Sequence, residues 1–324
     1  MALPVCAPLA SSSTGSDGSI RTSGTRAGTE KFPATLLTTR TTDLRRAVAV
    51  LPAAFAPIVP SLRFSPEGAI AVDPAGVLAS CHINTPEADH TMTDVKFTTA
   101  LIVGAGSGLS AALARALTKD GIKVALAARS TDDLAPLMKE TGARAFACDA
   151  SERAQVDKLF ADVDSAFGAP DIVIYNASFR ARGPFVDLDP ADVQKALDVT
   201  AFGAFLVAQQ AARRMLPNKH GAIVLTGASA GVKGYPQSAP FAMGKFALRG
   251  LAQSMARELS PQGIHVAHVV VDGGIRSARR PDAADKPDSM LDPEAIAATY
   301  MHLIHQPRSA WAWEIELRPW VEKF

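Results

Sequence analysis

The chain has 324 residues, of which 48% are hydrophobic and 20% charged, and its formal net charge is +1. That length suits one large domain or two small ones, and the near-neutral balance argues against a nucleic-acid-binding or acid-tailed protein. No apolar run approaches the roughly 20 residues needed to cross a membrane. Cys6, Cys81 and Cys148 lie far apart and match no metal-ligand spacing, so a reduced, cytoplasmic setting and no metal are expected.

Residues 1–91 hold no element that would pack by itself. Positions 11–42 are rich in Ser, Thr, Gly and Arg, and the apolar run at 47–59 is broken by Pro52 and Pro57. Three readings stay open: a disordered extension, an Arg- and Ser-rich transit peptide, or a start assigned too far upstream, since Met92 opens directly into the first strand. Residues 92–324 read as one domain.

Its first strand is the apolar run at 100–103, which ends in Gly104, Gly106 and Gly108 and leads into an alanine- and leucine-rich helix. Strand, glycine turn and helix make the geometry that holds a dinucleotide pyrophosphate. Glycine lets the backbone approach the phosphates, and the helix N-terminus offers free N–H groups. Further strands are predicted over 122–128, 143–147, 171–175, 221–226, 264–271 and 313–317. Helices are predicted over 132–140, 151–167, 190–215, 239–259 and 293–304. Ser151 is expected to cap one of them, and Asp189-Pro190 to open the long one. The alternation predicts an α/β fold: a doubly wound, mostly parallel seven-stranded sheet with helices on both faces. Trp311, Trp313 and Trp320 predict burial of the C-terminal stretch against the core or a second subunit.

Gly104-x-x-x-Gly108-x-Ser110 resembles the Gly-x-x-x-Gly-x-Gly loop of the short-chain dehydrogenase/reductase family. Serine stands at the third glycine, where its Cβ can crowd the packing of helix on sheet. The resemblance runs from Met92 to the C-terminus and implies a Rossmann-like fold with Gly104, Gly106, Ser107, Gly108 and Leu109 around a nicotinamide dinucleotide. At the end of the second strand an acid would bind the ribose 2′-hydroxyl and select NAD. Here Ala127-Ala128 is followed by Arg129 and Ser130, and Arg129 can grip a 2′-phosphate with paired N–H donors. NADP(H) is therefore expected ahead of NAD(H), the other reading being an exposed strand-end arginine. Cys148-Asp149 resembles the family's acid at the adenine amino group. Tyr175-Asn176-Ala177-Ser178 resembles its Asn-Ala-Gly turn near the adenosine ribose, although Asn176 also suits an ordinary turn. Asp272-Gly273-Gly274-Ile275-Arg276-Ser277 resembles its Pro-Gly segment, whose backbone at Gly273 and Ile275, with Ser277, would face the nicotinamide carboxamide.

Family members that reduce carbonyls carry Tyr-x-x-x-Lys on one helix face, the lysine lowering the tyrosine pKa and binding the nicotinamide ribose. This chain has Phe241-Ala-Met-Gly-Lys245, and phenylalanine has no proton to give. The family serine aligns with Ala228, beside Ser229, and the family asparagine with Thr200. Lys245 alone of the four groups remains. Tyr235 is either a substitute proton donor or an aromatic wall of the pocket, and the Tyr-x6-Lys spacing of enoyl reductases would need a tyrosine where Ser238 stands. Two functions fit. One is an oxidoreductase with a proton from Tyr235, Ser229, water or the substrate. The other is an NADP-binding regulator or partner subunit that does not catalyse. A small-molecule substrate and a homodimer or homotetramer are expected, with neither nucleic acid nor membrane as partner. Arg276, Arg279 and Arg280, in the loop at the family's substrate lid, read as contacts for a substrate anion or as a solvated charge run.

Overall fold

Unbroken apolar runs set the frame. In a computed structural model that describes residues 96–277 and 280–323, seven strands form one sheet in the order β3-β2-β1-β4-β5-β6-β7, with apolar runs at its centre and the mixed sequences of β3 and β7 at its edges. The strands are β1 (Thr99–Val103), β2 (Lys123–Ala128), β3 (Arg144–Ala147), β4 (Ile172–Tyr175), β5 (Ala222–Thr226), β6 (His265–Val271) and β7 (Glu314–Leu317). Every pairing is parallel. Strands β1, β4, β5 and β6 are buried at each position, because both faces are covered and no alternation with polar residues is needed. The readings of residues 1–91 and of Arg279 lie outside the described residues.

The helices are α1 (Leu109–Lys119), α2 (Ala135–Thr141), α3 (Arg153–Phe167), α4 (Pro190–Leu197), α5 (Gly203–Met215), α6 (Ala239–Leu259) and α7 (Pro293–Ile304). The two-residue period of β1 sends Ile102 to one face and Leu101 to the other. Ile102 joins Leu113 of α1 and Tyr300 of α7 in one core layer. Leu101 joins Phe160 of α3, Val207 of α5 and Leu248 of α6 in the second. Among the described residues, no helix is long and apolar enough to cross a membrane.

Three local expectations need correction. The stretch 190–215 is not one regular helix: α4 and α5 are joined by a π-helical turn, Asp198–Phe202. The buried Tyr175 hydroxyl donates to the Val199 carbonyl inside that turn, which draws the carbonyl out of the regular ladder. Ser151 does not cap α3, whose N-cap position is Glu152 with no side-chain cap. Instead the Ser151 hydroxyl and N–H donate to Asp149 Oδ1 at 2.6 and 3.0 Å, the charged carboxylate two residues back being the stronger partner. The stretch 132–140 divides into a 3₁₀ turn, Asp132–Leu134, and α2. Asp189 does cap α4, accepting the Ala191 N–H at 2.8 Å.

The C-terminal aromatics divide as well. Trp311 stacks on His265 with ring centroids 4.7 Å apart and planes 1° from parallel. Trp313 is half-buried under the Arg249 guanidinium, 5.8 Å from its ring centroid. Trp320 is 80% exposed, because it lies beyond β7. It does not pack into the core.

Candidate active site

Between β1 and β4 the strand order reverses, and the loops leaving their carboxyl ends diverge to open a crevice. Gly104 turns the chain there with φ +88°, and a Cβ on it would collide with the backbone nitrogen of Ala177, so only glycine fits. At Gly106 and Gly108 a Cβ would meet nothing within 4 Å. That open space lies before the N-terminus of α1, which has neither a side-chain cap nor an acid in its first turn. Free N–H groups and the positive end of the helix dipole are thus left for an anion. Ser107 is exposed beside this space and Leu109 is buried under it.

Ser110, in the third glycine's place, proves to be a bridge. Its buried hydroxyl donates to the Gly104 carbonyl at 3.0 Å and accepts from Asn176 Nδ2 at 2.7 Å. The glycine turn is thereby tied to the turn after β4. Asn176 uses its amide N–H on this tie.

A cavity of about 600 Å³ continues from the glycine turn, lined by Gly104, Arg129, Ser130, Asp149, Asn176 and Ala177. Hydrogen bonds from Ser151 hold the Asp149 carboxyl below the usual range, and Arg129 adds to the effect. Arg129 is exposed at the rim. The Ser130 hydroxyl donates to Asp132 at 3.2 Å, a partner that the sequence reading did not name.

A second cleft, of about 920 Å³, shares Asn176 and Ser178 with the first. Ser229, Tyr235, Phe241 and Lys245 line it, as do Gly273, Ile275 and Ser277 from the segment after β6. Helix α6 brings Phe241 and Lys245 to the same wall, one turn apart. Lys245 is only 3% exposed, and its Nζ donates to the Thr226 carbonyl at 2.6 Å. The Thr226 hydroxyl in turn shares a 2.8 Å hydrogen bond with the Tyr300 hydroxyl. Burial, with the Arg180 charge added, brings the Lys245 ammonium down to about 7. Among the described residues no carboxylate forms an ion pair with it.

The remaining expected groups are placed as follows. Phe241 is 8% exposed, with the Arg180 guanidinium over its ring at 4.4 Å and the Lys245 ammonium 5.8 Å from its centroid. Tyr235 is 41% exposed in the cleft wall, its ring 5.6 Å from the Lys233 ammonium. Thr200 lies in the π turn, fully buried, where its hydroxyl oxygen accepts the Phe179 N–H at 3.3 Å. It is absent from the cleft lining. Arg276 does not face a substrate: Asp282 and Asp292 hold its guanidinium at 3.3 and 2.6 Å and pin the loop to the start of α7. Arg280 does line the cleft. So do Arg180 and Arg182, which the sequence reading passed over because the loop after β4 has no periodicity to place them.

The family model for short chain dehydrogenases matches residues 98–286. This chain belongs to that family. As a short-chain dehydrogenase it is similar to an uncharacterized oxidoreductase of Staphylococcus aureus strain N315, 29% identical over 226 residues, which are 68% of this chain and 96% of that one. Its fold matches a short-chain dehydrogenase from Rhodopseudomonas palustris with a TM-score of 0.60 and 32% identity, over 69% of this chain and 99% of that one. A metagenomic short-chain oxidoreductase solved in complex with NADP matches with a TM-score of 0.61 and 27% identity, over 68% of this chain and 97% of that one. The assignment at this level is an oxidoreductase of the short-chain dehydrogenase type.

Proposed function

We propose that this short-chain dehydrogenase is an NADP(H)-dependent oxidoreductase in which phenylalanine stands at the position of the family's tyrosine and proton delivery falls to other groups. The observation that carries this reading is the continuous crevice: open space at Gly106 and Gly108, an exposed arginine at the rim of one cavity and a buried lysine in the wall of the next. The NADP complex of the metagenomic relative supports the cofactor.

Reduction of a carbonyl needs a hydride at carbon and a proton at oxygen. Bound NADPH supplies the hydride. Everything else falls to the chain. The Gly104–Gly108 turn, with Ser107, Leu109 and the α1 N-terminus, would hold the pyrophosphate. Arg129 would clamp the 2′-phosphate, and Ser130 would join it by releasing Asp132. Asp149, Asn176 and Ala177 would border the adenosine, and Gly273, Ile275 and Ser277 the nicotinamide carboxamide. Lys245 spends one N–H on Thr226 and keeps two for the ribose and the cleft. An ammonium near neutrality in a buried wall holds a proton that it can give up at working pH. Tyr235 and Ser229 are further hydroxyl donors in the same lining.

A second reading, an NADP-binding regulator that does not turn over, is favoured by one observation: the Thr200 hydroxyl is committed to Phe179 and absent from the cleft. Two measurements separate the readings. Titration should show NADPH binding more tightly than NADH, and Arg129→Ala should remove most of that preference, a charge-assisted pair being worth about 1.5–3 kcal/mol. Turnover of NADPH with any aldehyde, ketone or enoyl thioester decides for the enzyme. Equal affinity for the two cofactors overturns the NADP assignment.

A further inference from the structure

We infer that the cleft beside Phe241 takes a substrate carrying a carboxylate or phosphate, held by Arg180, Arg182 and Arg280. The inference rests on the reading of this cleft as the substrate site. All three side chains line the same 920 Å³ space, two from the loop after β4 and one from the segment after β6, so cations converge from both sides. Among the described residues, none of the three forms an ion pair.

The other arginines nearby are neutralised. Arg276 has Asp282 and Asp292, Arg249 has Glu314 at 2.7 Å, and Arg318 has Asp272 at 3.3 Å. Two acids line the same cleft, and neither forms an ion pair with the three arginines: Asp272 is buried between Lys233 and Arg318, and Glu322 is exposed at the rim. Partial burial, with repulsion from Arg182 and Arg280, holds the Arg180 guanidinium below its usual range. Like charges gathered without counter-charges favour an anion from solution. Arg180 is also held in place, its guanidinium carbon 4.4 Å from the Phe241 ring centroid, and its fork can make paired contacts to a planar carboxylate or a phosphate.

The phosphates of the cofactor are a different anion with a different place. They belong to the glycine turn and to the Arg129 cavity, whose lining contains none of the three arginines.

The test uses the full chain with NADP⁺ present, at constant ionic strength. Malonate and inorganic phosphate are titrated by calorimetry, with neutral malonamide as the control. Binding of malonate alone assigns a carboxylate, and binding of phosphate alone a phosphate. Arg180→Gln and Arg280→Gln should each weaken the bound anion about tenfold, with circular dichroism unchanged and the NADPH dissociation constant within twofold. In turnover, kcat/KM for 3-oxobutanoate should exceed that for its methyl ester at least tenfold, or that for dihydroxyacetone phosphate should exceed dihydroxyacetone by as much. The preference should vanish in the double variant. Arg180→Lys, which keeps charge and loses the fork, should fall between. Equal binding of malonamide, or anion binding indifferent to both Gln variants, overturns the inference. So does a loss of NADPH affinity that matches the loss of anion affinity, since the arginines would then serve the cofactor. If NADPH binds and neither anion does, this inference fails alone. If malonate or phosphate binds in the arginine-dependent way and NADPH does not, the cofactor reading fails instead.

Discussion

On the proposed reading Phe241 stands in place of the family's tyrosine, and the consequence belongs to simple substrates. A missing general acid slows proton transfer about 10²–10⁴-fold, so kcat on unactivated ketones should lie that far below an enzyme with tyrosine. Phe241→Tyr is expected to raise kcat on such ketones while leaving the NADPH dissociation constant unchanged. Steady-state kinetics on both proteins checks this, and an unchanged kcat excludes the ring position as the limiting one. Lys245 gives a second prediction. Its folded pKa of about 7 lies below the roughly 10.4 of an unfolded lysine. Between those values the unfolded chain binds more protons, so this group makes the cofactor-free protein more stable as pH rises from about 7 to about 10. Burial and the charge of Arg180, from the loop after β4, both oppose its proton. Lys245→Met should remove that slope, so the stability of the variant relative to the parent in urea melts should fall from pH 7 to about pH 9.5. Parallel profiles would mean an ordinary lysine. Lysine and phenylalanine were legible in sequence because a helix fixes the i, i+4 pair rigidly. Arg180 was not, because a loop residue meets Phe241 only in space.

Among the elements, the helix that changes register midway matters most. Asp198–Phe202 has a composition that any α-helix accepts, so nothing in the pattern marked a π turn. Its cause lies in Tyr175, on a strand 24 residues earlier than the carbonyl it takes. A Cβ on Gly203 would stand 2.5 Å from the Tyr175 hydroxyl and 2.7 Å from the Ala150 carbonyl oxygen. Gly203→Ala should therefore destabilise by about 1–3 kcal/mol, the usual range for overpacking. Part of that loss should return when Tyr175→Phe is added, a non-additivity that thermal melts of the single and double variants would read. Strictly additive effects would show that the turn does not depend on the hydroxyl. The strands were far easier to read, because full burial in a parallel sheet leaves an uninterrupted apolar run between turn residues. The Ser110 bridge was illegible for the opposite reason: in the sequence it is a serine in a glycine's place, and its meaning comes from Asn176 across the crevice.

For the molecule as a whole, we propose that the expected homodimer or homotetramer would use exposed apolar side chains of the π turn, α5 and α6. Phe202 and Phe205 stack at 6.3 Å and stay exposed, as do Met243 and Phe246 on the neighbouring helix. Clustered exposed apolar side chains of this size mark contact surfaces. Light scattering should give a mass that is a multiple of 34.0 kDa, and Phe205→Asp with Phe246→Asp should give the single-chain mass with an unaltered circular dichroism spectrum. A parent protein already at that mass would refute the assembly.

The stack of Trp311 on His265 has a practical consequence for any such measurement. The three indoles of the chain, at 311, 313 and 320, all flank β7, one of the two edge strands of the sheet. Indole emission therefore reports this margin, β7 and the start of β6 where His265 lies against Trp311, and not the other five strands. A melt followed by emission tracks the departure of this margin, and one followed by ellipticity tracks the helices that cover the sheet. The interval between the two curves measures how far the border frays before the interior yields.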